Sequence, residues 1–516
     1  MKIFLYGPPG SGKSTIGSQL AAALNLPFID LDKEIESITG ERIFDIIKEK
    51  GEEHFRNLES ALLEKAITLP DAVIALGGGA LLREENRTAA RDAGQIFFLN
   101  AELPLLLKRL AHNAEERPLL DGPLPESLEK LLSGRQAHYA SFSSRVDASL
   151  DLAEIVWEIQ RQAGWFHPRA MGGGYDVRVQ AGGLEDVGLL MRSRGLPGPV
   201  LIVSDENVAP LYGERVLAAL GHAGYSASLF TLPAGECFKT LASVDALWHA
   251  CLQAQLERRS TILSLGGGVI NDLAGFAAAT YMRGCNWVTI PTTLLSMVDA
   301  SIGGKTGFDL QEGKNLIGAF FAPRIVLADP VVLKTLPERE FLSGLAEVVK
   351  HGIIEDTWLF EICSLGPDAV KKNLNEVIRR AIAVKVHVIE QDPFEQGARA
   401  ALNFGHTVGH ALELISGFII SHGEAVAVGM TVEAKIGENL SITEKGVAAR
   451  IEKTLTRLGL PAKIPQDIPL DGIVAALMRD KKKSNGRTRL AVPKRIGRVL
   501  VNVEVKELQS CLEEIR

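Results

Sequence analysis

GPPGSGKST, residues 7–15, stands between the short apolar run Lys2–Tyr6 and a stretch with helical periodicity, SGKSTIGSQLAAAL. The order strand, glycine turn, helix fits G-x-x-x-x-G-K-[ST], and the physics of phosphate binding needs that order. The glycines let successive backbone N–H groups turn inward around a phosphate chain, and the helix N-terminus adds partial positive charge. Lys13 is placed to neutralise the β- and γ-phosphates and Ser14 to ligate Mg²⁺, with Gly10, Gly12 and Thr15 completing the cradle. The bland reading is a glycine turn with a chance lysine. The motif is silent on what accepts the phosphoryl group.

Outward from this turn, the apolar runs AVIAL (72–76) and QIFFL (95–99) alternate with helical segments, the rhythm of a parallel α/β sheet. The rhythm ends near Gln162, and AGWFHPRAMGGGYD reads as a linker, placed at 163–175. A second rhythm follows in GPVLIVSD (198–205), SASLFTLP (226–233), STILSLGGG (260–268), NWVTIPTT (286–293) and RIVLADP (324–330). From about Val331 longer amphipathic patterns replace the strands, as in NLNEVIRRAIAVKVHVIEQ and GEAVAVGMTVEAKIGENL. The expected division is a P-loop domain at 1–162, an α/β lobe at 176–330 and a helical lobe at 331–516. The phrase LGGG occurs at 76–79 and 265–268, but its flanks differ, so it marks a shared use of a glycine turn and no internal repeat.

Length and composition agree with that plan. The 516 residues exceed one ordinary core, and 46% apolar with 23% charged residues leaves no room for a disordered chain. A net charge of -7 gives no reason to expect nucleic acid or an anionic membrane as partner, although local Lys and Arg clusters can still take small anions. The five cysteines (Cys237, Cys251, Cys285, Cys363, Cys511) contain no CxxC pair and read as small apolar fillers in a reducing compartment. No signal peptide opens the chain and no apolar run approaches the roughly 20 residues that span a bilayer, so a cytoplasmic protein is expected.

Several polar residues follow the P-loop at telling positions. FIDLDKEIE (28–36) places Asp30 and Asp32 at the end of a strand near the phosphates. GEEHFRNLE (51–59) sets Arg56 and Glu59 one helical turn apart, a spacing that a surface pair would also show. AVIALGGGALL runs a strand into Gly77, Gly78 and Gly79, where backbone can approach a ligand. ERPLLDG (116–122) carries Arg117, and Arg135 with Tyr139 comes later. In order and spacing these motifs resemble the shikimate kinase family across about 1–160. The resemblance implies ATP and Mg²⁺ on Lys13 and Ser14, with Asp30 near the metal. It also implies shikimate held by Asp32, Arg56, Gly78 and Arg135, and Arg117 closing from a lid onto the transferring group. Two arginines suit a carboxylate substrate, since guanidinium pairs with it bidentately. Asp32 is then the group that orients or deprotonates the 3-hydroxyl. The alternatives are a gluconate or nucleoside monophosphate kinase.

The second half carries a different constellation. STILSLGGGVINDLAGFAAATYMRG (260–284) has a dinucleotide-binding geometry without the G-x-G-x-x-G fingerprint, and Asp205 ends an earlier strand where a carboxylate could bond a ribose. IPTTLLSMVDASIGGKTGFDL (290–310) strings out Thr292, Thr293, Asp299 and Lys305, and GKNLIGAF adds Lys314 and Asn315. Metal-ligand types occur in GLAEVVKHG (Glu347, Lys350), NFGHTVGHALE (His406, His410) and SHGEAVAVGM (His422). A lone histidine is usually a packing residue, but here three fall within 17 residues of a chain with only 11. Two His with one carboxylate suit an open, catalytic zinc site. Spacing favours His406 with His410, which share a helix face, and leaves the ligand set undecided.

From about 172 to 516, PTTLLSMVDASIGGKTG, AEVVKHG, LNFGHTVGHALE and HGEAVAVGM resemble the 3-dehydroquinate synthase family. The resemblance implies Zn²⁺ (or Co²⁺) on Glu347, His406 and His422, with His410 beside the substrate phosphate. It implies a substrate pocket of Asp299, Lys305, Lys350, Lys385, Arg399 and Asn403, with Lys314 and Asn315 nearby. NAD⁺ falls to Asp205, Glu236, Lys239, Gly267, Gly268, Asp272, Thr292 and Thr293, with Lys305 and Lys314 at its edge. Arg283 reaches the phosphate from a neighbouring subunit, which implies a homodimer. One of Lys481, Lys482 and Lys483 matches a family lysine. Asn271 departs from the pattern, standing where the family usually has Gly; a left-handed backbone there would explain both residues.

Together the two resemblances imply a two-enzyme chain. One activity is the ATP-dependent 3-phosphorylation of shikimate. The other converts 3-deoxy-D-arabino-heptulosonate 7-phosphate to 3-dehydroquinate and phosphate, with NAD⁺ regenerated in each turnover. A polyol dehydrogenase or another sugar-phosphate cyclase is the alternative for the second half, and a degraded scaffold module the non-enzymatic one.

Overall fold

Alternating apolar residues decide the first layer of structure. In Lys2–Tyr6 successive side chains point to opposite faces, so Ile3 and Leu5 enter one core and Phe4 and Tyr6 the other. The computed structural model describes residues 2–111, 123–417, 419–483, 488–505 and 512, and of 478–483 and 488 only the backbone. Two compact units result, Met1–His167 and Pro168–Arg516.

In the first unit β1 (Lys2–Tyr6), β2 (Phe28–Asp30), β3 (Val73–Ala75), β4 (Gly94–Asn100) and β5 (Arg145–Asp147) form a parallel sheet in the order β2-β3-β1-β4-β5. Helices Lys13–Leu24 and Leu152–Ala163 cover one face through Ile16, Leu20, Ile155 and Ile159. Leu63 of the helix Glu52–Thr68 and Tyr139 of Leu124–Ala140 help to cover the other. Ala75 pairs with both Leu5 and Asp30, so the carboxyl ends of β1, β2 and β3 come level, and ligands of open α/β sheets bind at such an edge. The stretch read as a linker is partly core: Ala163 and Trp165 pack into the first unit, Trp165 and Phe166 form a short strand, β6 (Trp165–Phe166), and Tyr175 is buried in the second unit.

The second unit continues with β7 (Asp176–Val179), β8 (Val200–Asp205), β9 (Ala227–Leu232), β10 (Thr261–Gly266), β11 (Asn286–Pro291), β12 (Lys305–Leu310), β13 (Gly313–Phe320) and β14 (Ile325–Ala328). Parallel pairing sets the order β7-β14-β11-β10-β8-β9, and β12 with β13 makes an antiparallel hairpin. The helices expected after 331 are present, among them Glu338–Ile354, Leu374–Gln391, His406–Ile415 and His422–Asn439. Glu338–Ile354 is buried almost all round from Ser343 onward, as a central helix must be. Two hairpins were not foreseen. One is β12 and β13, whose glycines and lysines read as loop. The other is β15 (Thr488–Arg495) with β16 (Arg498–Val505), in the region expected to be helical, turning at Gly497 with φ 83. Cys251, Cys285 and Cys363 are buried, as small fillers should be, whereas Cys237 is exposed.

Candidate active sites

The P-loop adopts the backbone that its glycines permit. Gly10 and Gly12 have φ of 79 and 95, in the left-handed region, and Gly12 caps the helix that begins at Lys13. Lys13 Nζ donates to the carbonyls of Gly7 (2.9 Å) and Pro8 (3.1 Å), so it lies folded along its own loop. Ser14 and Thr15 are exposed in the first helical turn. Asp30 ends β2 as a buried residue, and Asp32 sits in the first turn of Leu31–Thr39.

Beside the loop, the Gly77–Gly79 turn is the point where charged side chains converge. A Cβ on Gly77 would run into Glu59 Oε1 and lie 2.9 Å from Asp32 Oδ1, and one on Gly79 would lie 2.6 Å from Arg56 Nη2. Arg56 and Glu59 form a close ion pair that is buried, not superficial: they are 8% and 1% exposed. Arg56 also pairs with Glu52 at 2.9 Å. Burial pushes the Glu59 carboxyl up to about 7 against the pull of Arg56, with Asp32 adding to the rise. The Gly78 carbonyl accepts from Arg135 (2.8 Å), Tyr139 (3.0 Å) and Tyr6 (3.3 Å). Asp32, Arg56, Gly78 and Arg135 are therefore gathered around one turn. Sequence reasoning missed Arg109, whose guanidinium donates to Ser11 O (3.2 Å) and Ala148 O (2.9 Å) and so ties the P-loop to the end of the sheet. Nothing local in the sequence marks it. Arg117 lies outside the described residues.

In the second unit, the helix Gly268–Thr280 starts directly after β10, and no side chain caps its N-terminal N–H groups. Gly268 faces open space apart from Ala300 Cβ, at 3.6 Å from where its own Cβ would be, and Thr292 Oγ1 is buried without a hydrogen-bond partner. An uncapped helix start, a glycine cradle and an orphaned hydroxyl fit a dinucleotide phosphate. Along the same edge Asp205 accepts from Asn207 N and Val208 N, and Lys239 Nζ pairs with Asp272 at 2.6 Å and donates to Asn315 Oδ1 at 2.5 Å. Burial raises Asp272 to about 6 against the Lys239 charge. Lys314 stands 3.5 Å from Glu236 and 3.6 Å from Glu413.

Asn271 needs no unusual backbone. It is helical and buried, and both ends of its side chain are bonded: Oδ1 accepts from Ser264 (2.9 Å) and Thr289 (2.7 Å), and Nδ2 donates to Ser296 Oγ (2.6 Å). The expectation of a left-handed φ is thus corrected; hydrogen-bonding capacity occupies the position.

Three helices bring the metal-ligand types together. Glu347, from the buried helix Glu338–Ile354, lies with Oε1 3.6 Å from His406 Nε2 and 3.6 Å from His422 Nε2, and ligand atoms of all three residues sit within 4.8 Å of one another. Glu347 is fully buried, with Oε2 in an ion pair with Lys350 and Oε1 turned to the two histidines without a hydrogen bond, which leaves one oxygen for a cation. Burial opposes the Glu347 charge, but Lys350 and the two histidines hold its carboxyl well below the usual range. Burial, reinforced by the Lys350 charge, pushes His406 well below the ordinary imidazole range, which favours the neutral form a ligand needs. Burial works against a charged His422 too, yet Glu347 and Glu413 push it up to about 9, so the site attracts positive charge. The His₂Glu donor set fits zinc. His410 packs against His406 at 5.3 Å between ring centroids but is exposed and further from Glu347.

Beyond this cluster, Lys385 Nζ bonds Asp299 Oδ1 and O, each at 2.7 Å, and Lys350 Nζ lies 4.0 Å from Asp299 Oδ1. Burial lowers Lys385 to about 8 despite the Asp299 charge. Burial of Asp299 opposes its charge, but Lys385 and Lys350 hold its carboxyl well below the usual carboxylate range. Arg399 lies against the Gly303 carbonyl at 3.4 Å. Lys305 and Asn403 share Glu395, which sequence reasoning passed over. Glu413 was passed over as well, although His406, His410 and Glu413 follow an i, i+4, i+7 stripe that could have revealed it. Arg283 is exposed at a turn with φ 66, and Lys481, Lys482 and Lys483 lie in the helix Leu470–Lys483.

The shikimate kinase family model matches residues 9–163, the 3-dehydroquinate synthase N-terminal model 229–343, and the 3-dehydroquinate synthase C-terminal model 344–483. The 3-dehydroquinate synthase of Synechocystis sp. is 46% identical over 340 residues, covering 64% of this chain and 94% of its own. That of Symbiobacterium thermophilum is 46% identical over 338 residues, with the same two coverages. A 2-deoxy-scyllo-inosose synthase complexed with carbaglucose-6-phosphate, NAD⁺ and Co²⁺ superposes with TM-score 0.62 at 26% identity, covering 68% of this chain and 100% of its own. The 2-epi-5-epi-valiolone synthase from Streptomyces hygroscopicus with NAD⁺ and Zn²⁺ gives 0.60 at 29%, covering 66% and 96%.

Proposed function

The chain belongs to the 3-dehydroquinate synthase family and carries a shikimate kinase domain ahead of that module, and from this premise we propose which residues perform each reaction. It is a bifunctional shikimate-pathway enzyme. The observation that carries the synthase assignment is the buried Glu347, its Oε1 3.6 Å from both His406 and His422, in a chain 46% identical to such synthases. Identity to the inosose and valiolone cyclases is 26% and 29%, which sets their substrates behind 3-deoxy-arabino-heptulosonate 7-phosphate.

In the kinase, the amides from Gly10 to Thr15 cradle the phosphates of ATP, and Lys13 leaves the carbonyls of Gly7 and Pro8 to neutralise the transferred charge. Mg²⁺, held through Ser14 with Asp30 behind it, supplies charge neutralisation between the phosphates. Arg56 and Arg135 take the shikimate carboxylate, and Glu59 keeps Arg56 from rotating away. Asp32 accepts the proton of the 3-hydroxyl.

In the synthase, Asp205, Glu236, Lys239, Gly267, Gly268, Asp272, Thr292 and Thr293 hold the dinucleotide, with Lys305 and Lys314 at its edge. NAD⁺ supplies a reversible hydride acceptor. Glu347, His406 and His422 would hold Zn²⁺ or Co²⁺, which supplies Lewis acidity toward a substrate oxygen. Asp299 orients Lys385 and shares the field of Lys350, so a polyol and its carboxylate meet cations whose positions are fixed beforehand. His410 can move a proton, and Lys314, Asn315, Arg399 and Asn403 line the anion-binding side.

We infer a homodimer in which Arg283 from a second copy completes the phosphate pocket. Lobes at 176–330 and 331–516 then hold NAD and the metal respectively, behind a kinase domain at 1–162. Among the described residues no helix is long and apolar enough to cross a membrane, and we propose a cytoplasmic enzyme. The test is phosphate release from 3-deoxy-arabino-heptulosonate 7-phosphate with substoichiometric NAD⁺, beside shikimate-dependent ADP release. Stoichiometric NADH would point to a dehydrogenase, and equal kinase activity with gluconate to another kinase.

A further inference from the structure

The helices that carry the two histidines meet along a seam of glycines. Gly409 packs against Ala425, Gly405 against Met430, a Cβ on Gly429 would overlap the Gly405 carbonyl, and Glu413 at the other end reaches His422 at 3.4 Å. His406–Ile415 therefore runs antiparallel to His422–Asn439.

One side chain spans it. Glu433 is fully buried, and its Oε2 accepts from Gly405 N (2.7 Å) while Oε1 accepts from Val408 N (3.1 Å). Those N–H groups belong to the first turn of the helix that starts at His406. Its cap residue, Gly405, has φ 82 and no side chain with which to cap it. Burial pushes the Glu433 carboxyl up to about 8 against the pull of the N–H groups it accepts from; an acceptor suits the positive end of a helix, but a cap is ordinarily a neighbour in sequence. Here it comes from the opposite helix, 11 residues after His422, which is about three turns and hence the same helix face.

We propose that Glu433 is a positioning residue for the metal centre: by clamping the first turn of the His406 helix onto the His422 helix, it fixes the separation of the two imidazoles. This rests on the reading of Glu347, His406 and His422 as metal ligands. Glu433 touches none of the three side chains in its recorded hydrogen bonds, so its effect passes through the backbone. Outer partners that orient a ligand are typically worth 10–100-fold in metal affinity.

The test uses the full chain, stripped of metal and titrated with Co²⁺ against a competing chelator, following visible absorption. Glu433→Gln offers one acceptor oxygen where the carboxylate offers two, and turns its NH₂ toward backbone donors. It should weaken Co²⁺ binding about 10–100-fold and alter the absorption bands, with shikimate-dependent ADP release retained. A merely structural role would lower the melting temperature of the second unit and leave affinity and spectrum of the folded protein as in wild type; that result overturns the proposal. Should Glu433→Gln not fold, Glu433→Asp, one methylene shorter, carries the same readout. If wild type itself shows no Co²⁺ binding that His406→Ala removes, the metal reading fails. If wild type binds and Glu433→Gln binds equally, this inference alone fails.

Discussion

The two sites handle charge in opposite ways. Around the P-loop, main chain does most of the shaping: the left-handed turns at Gly10 and Gly12 and the Gly78 carbonyl shared by Arg135, Tyr139 and Tyr6, with the buried ion pair Arg56–Glu59 beside them. In the second unit the work falls to side chains brought from separate helices, with Glu347, Lys350, Lys385 and Asp299 buried or half-buried within a few ångströms of one another. A phosphoryl-transfer site needs positioning and diffuse charge stabilisation, which loops of backbone supply. A site that must bind a metal, a nucleotide and a phosphorylated sugar acid needs fixed charges, which low-dielectric helix interiors make strong and costly to leave unpaired.

If the sites are as separate as this contrast implies, each should fail alone. The largest effect belongs to His406→Ala. Removing a ligand forfeits several kcal/mol of charge stabilisation, so synthase turnover should fall by about 10³-fold or more while ADP release is unchanged. Lys13→Ala should reverse the pattern, lowering the kinase by about 10²–10³-fold in steady-state assays and sparing phosphate release. Gly77→Ala sharpens the backbone side of the comparison. Its Cβ would enter the space of Glu59 and Asp32, an overpacking of about 1–3 kcal/mol, and shikimate affinity should drop about tenfold by titration. The smallest effect is one of pH. Lys385 binds an anion only as a cation, and burial sets its pKa near 8, so kcat/KM of the synthase should fall several-fold as pH rises through that value. Lys385→Arg, which cannot titrate there, should flatten the alkaline limb.

What the sequence could disclose was local. The P-loop is a contiguous strand, turn and helix, and the LGGG at 265–268 announces itself in the same way, so both nucleotide-facing edges were legible. The metal set was not, because Glu347, His406 and His422 lie on three helices; periodicity favours His406 with His410, and only the family resemblance chose His422. Glu413 escaped for a related reason, and Glu59, named beside Arg56, could not be told from a member of a surface pair. A carboxylate in a helical pattern reads as solvated until one knows which neighbour faces it. Asn271 shows the converse, a departure read as a backbone problem that the fold answers with Ser264, Thr289 and Ser296. The β15–β16 hairpin was hidden in a region read as helical, where a turn at Gly497 separates two runs of alternating apolar residues.

The most direct test is a crossed assay on the intact chain: wild type, His406→Ala and Lys13→Ala, each measured for shikimate-dependent ADP release and for phosphate release from 3-deoxy-arabino-heptulosonate 7-phosphate with catalytic NAD⁺. Two independent active sites predict that each variant loses one activity and keeps the other near the wild-type rate. Loss of both activities in either variant, or NADH accumulating in step with phosphate, would contradict them.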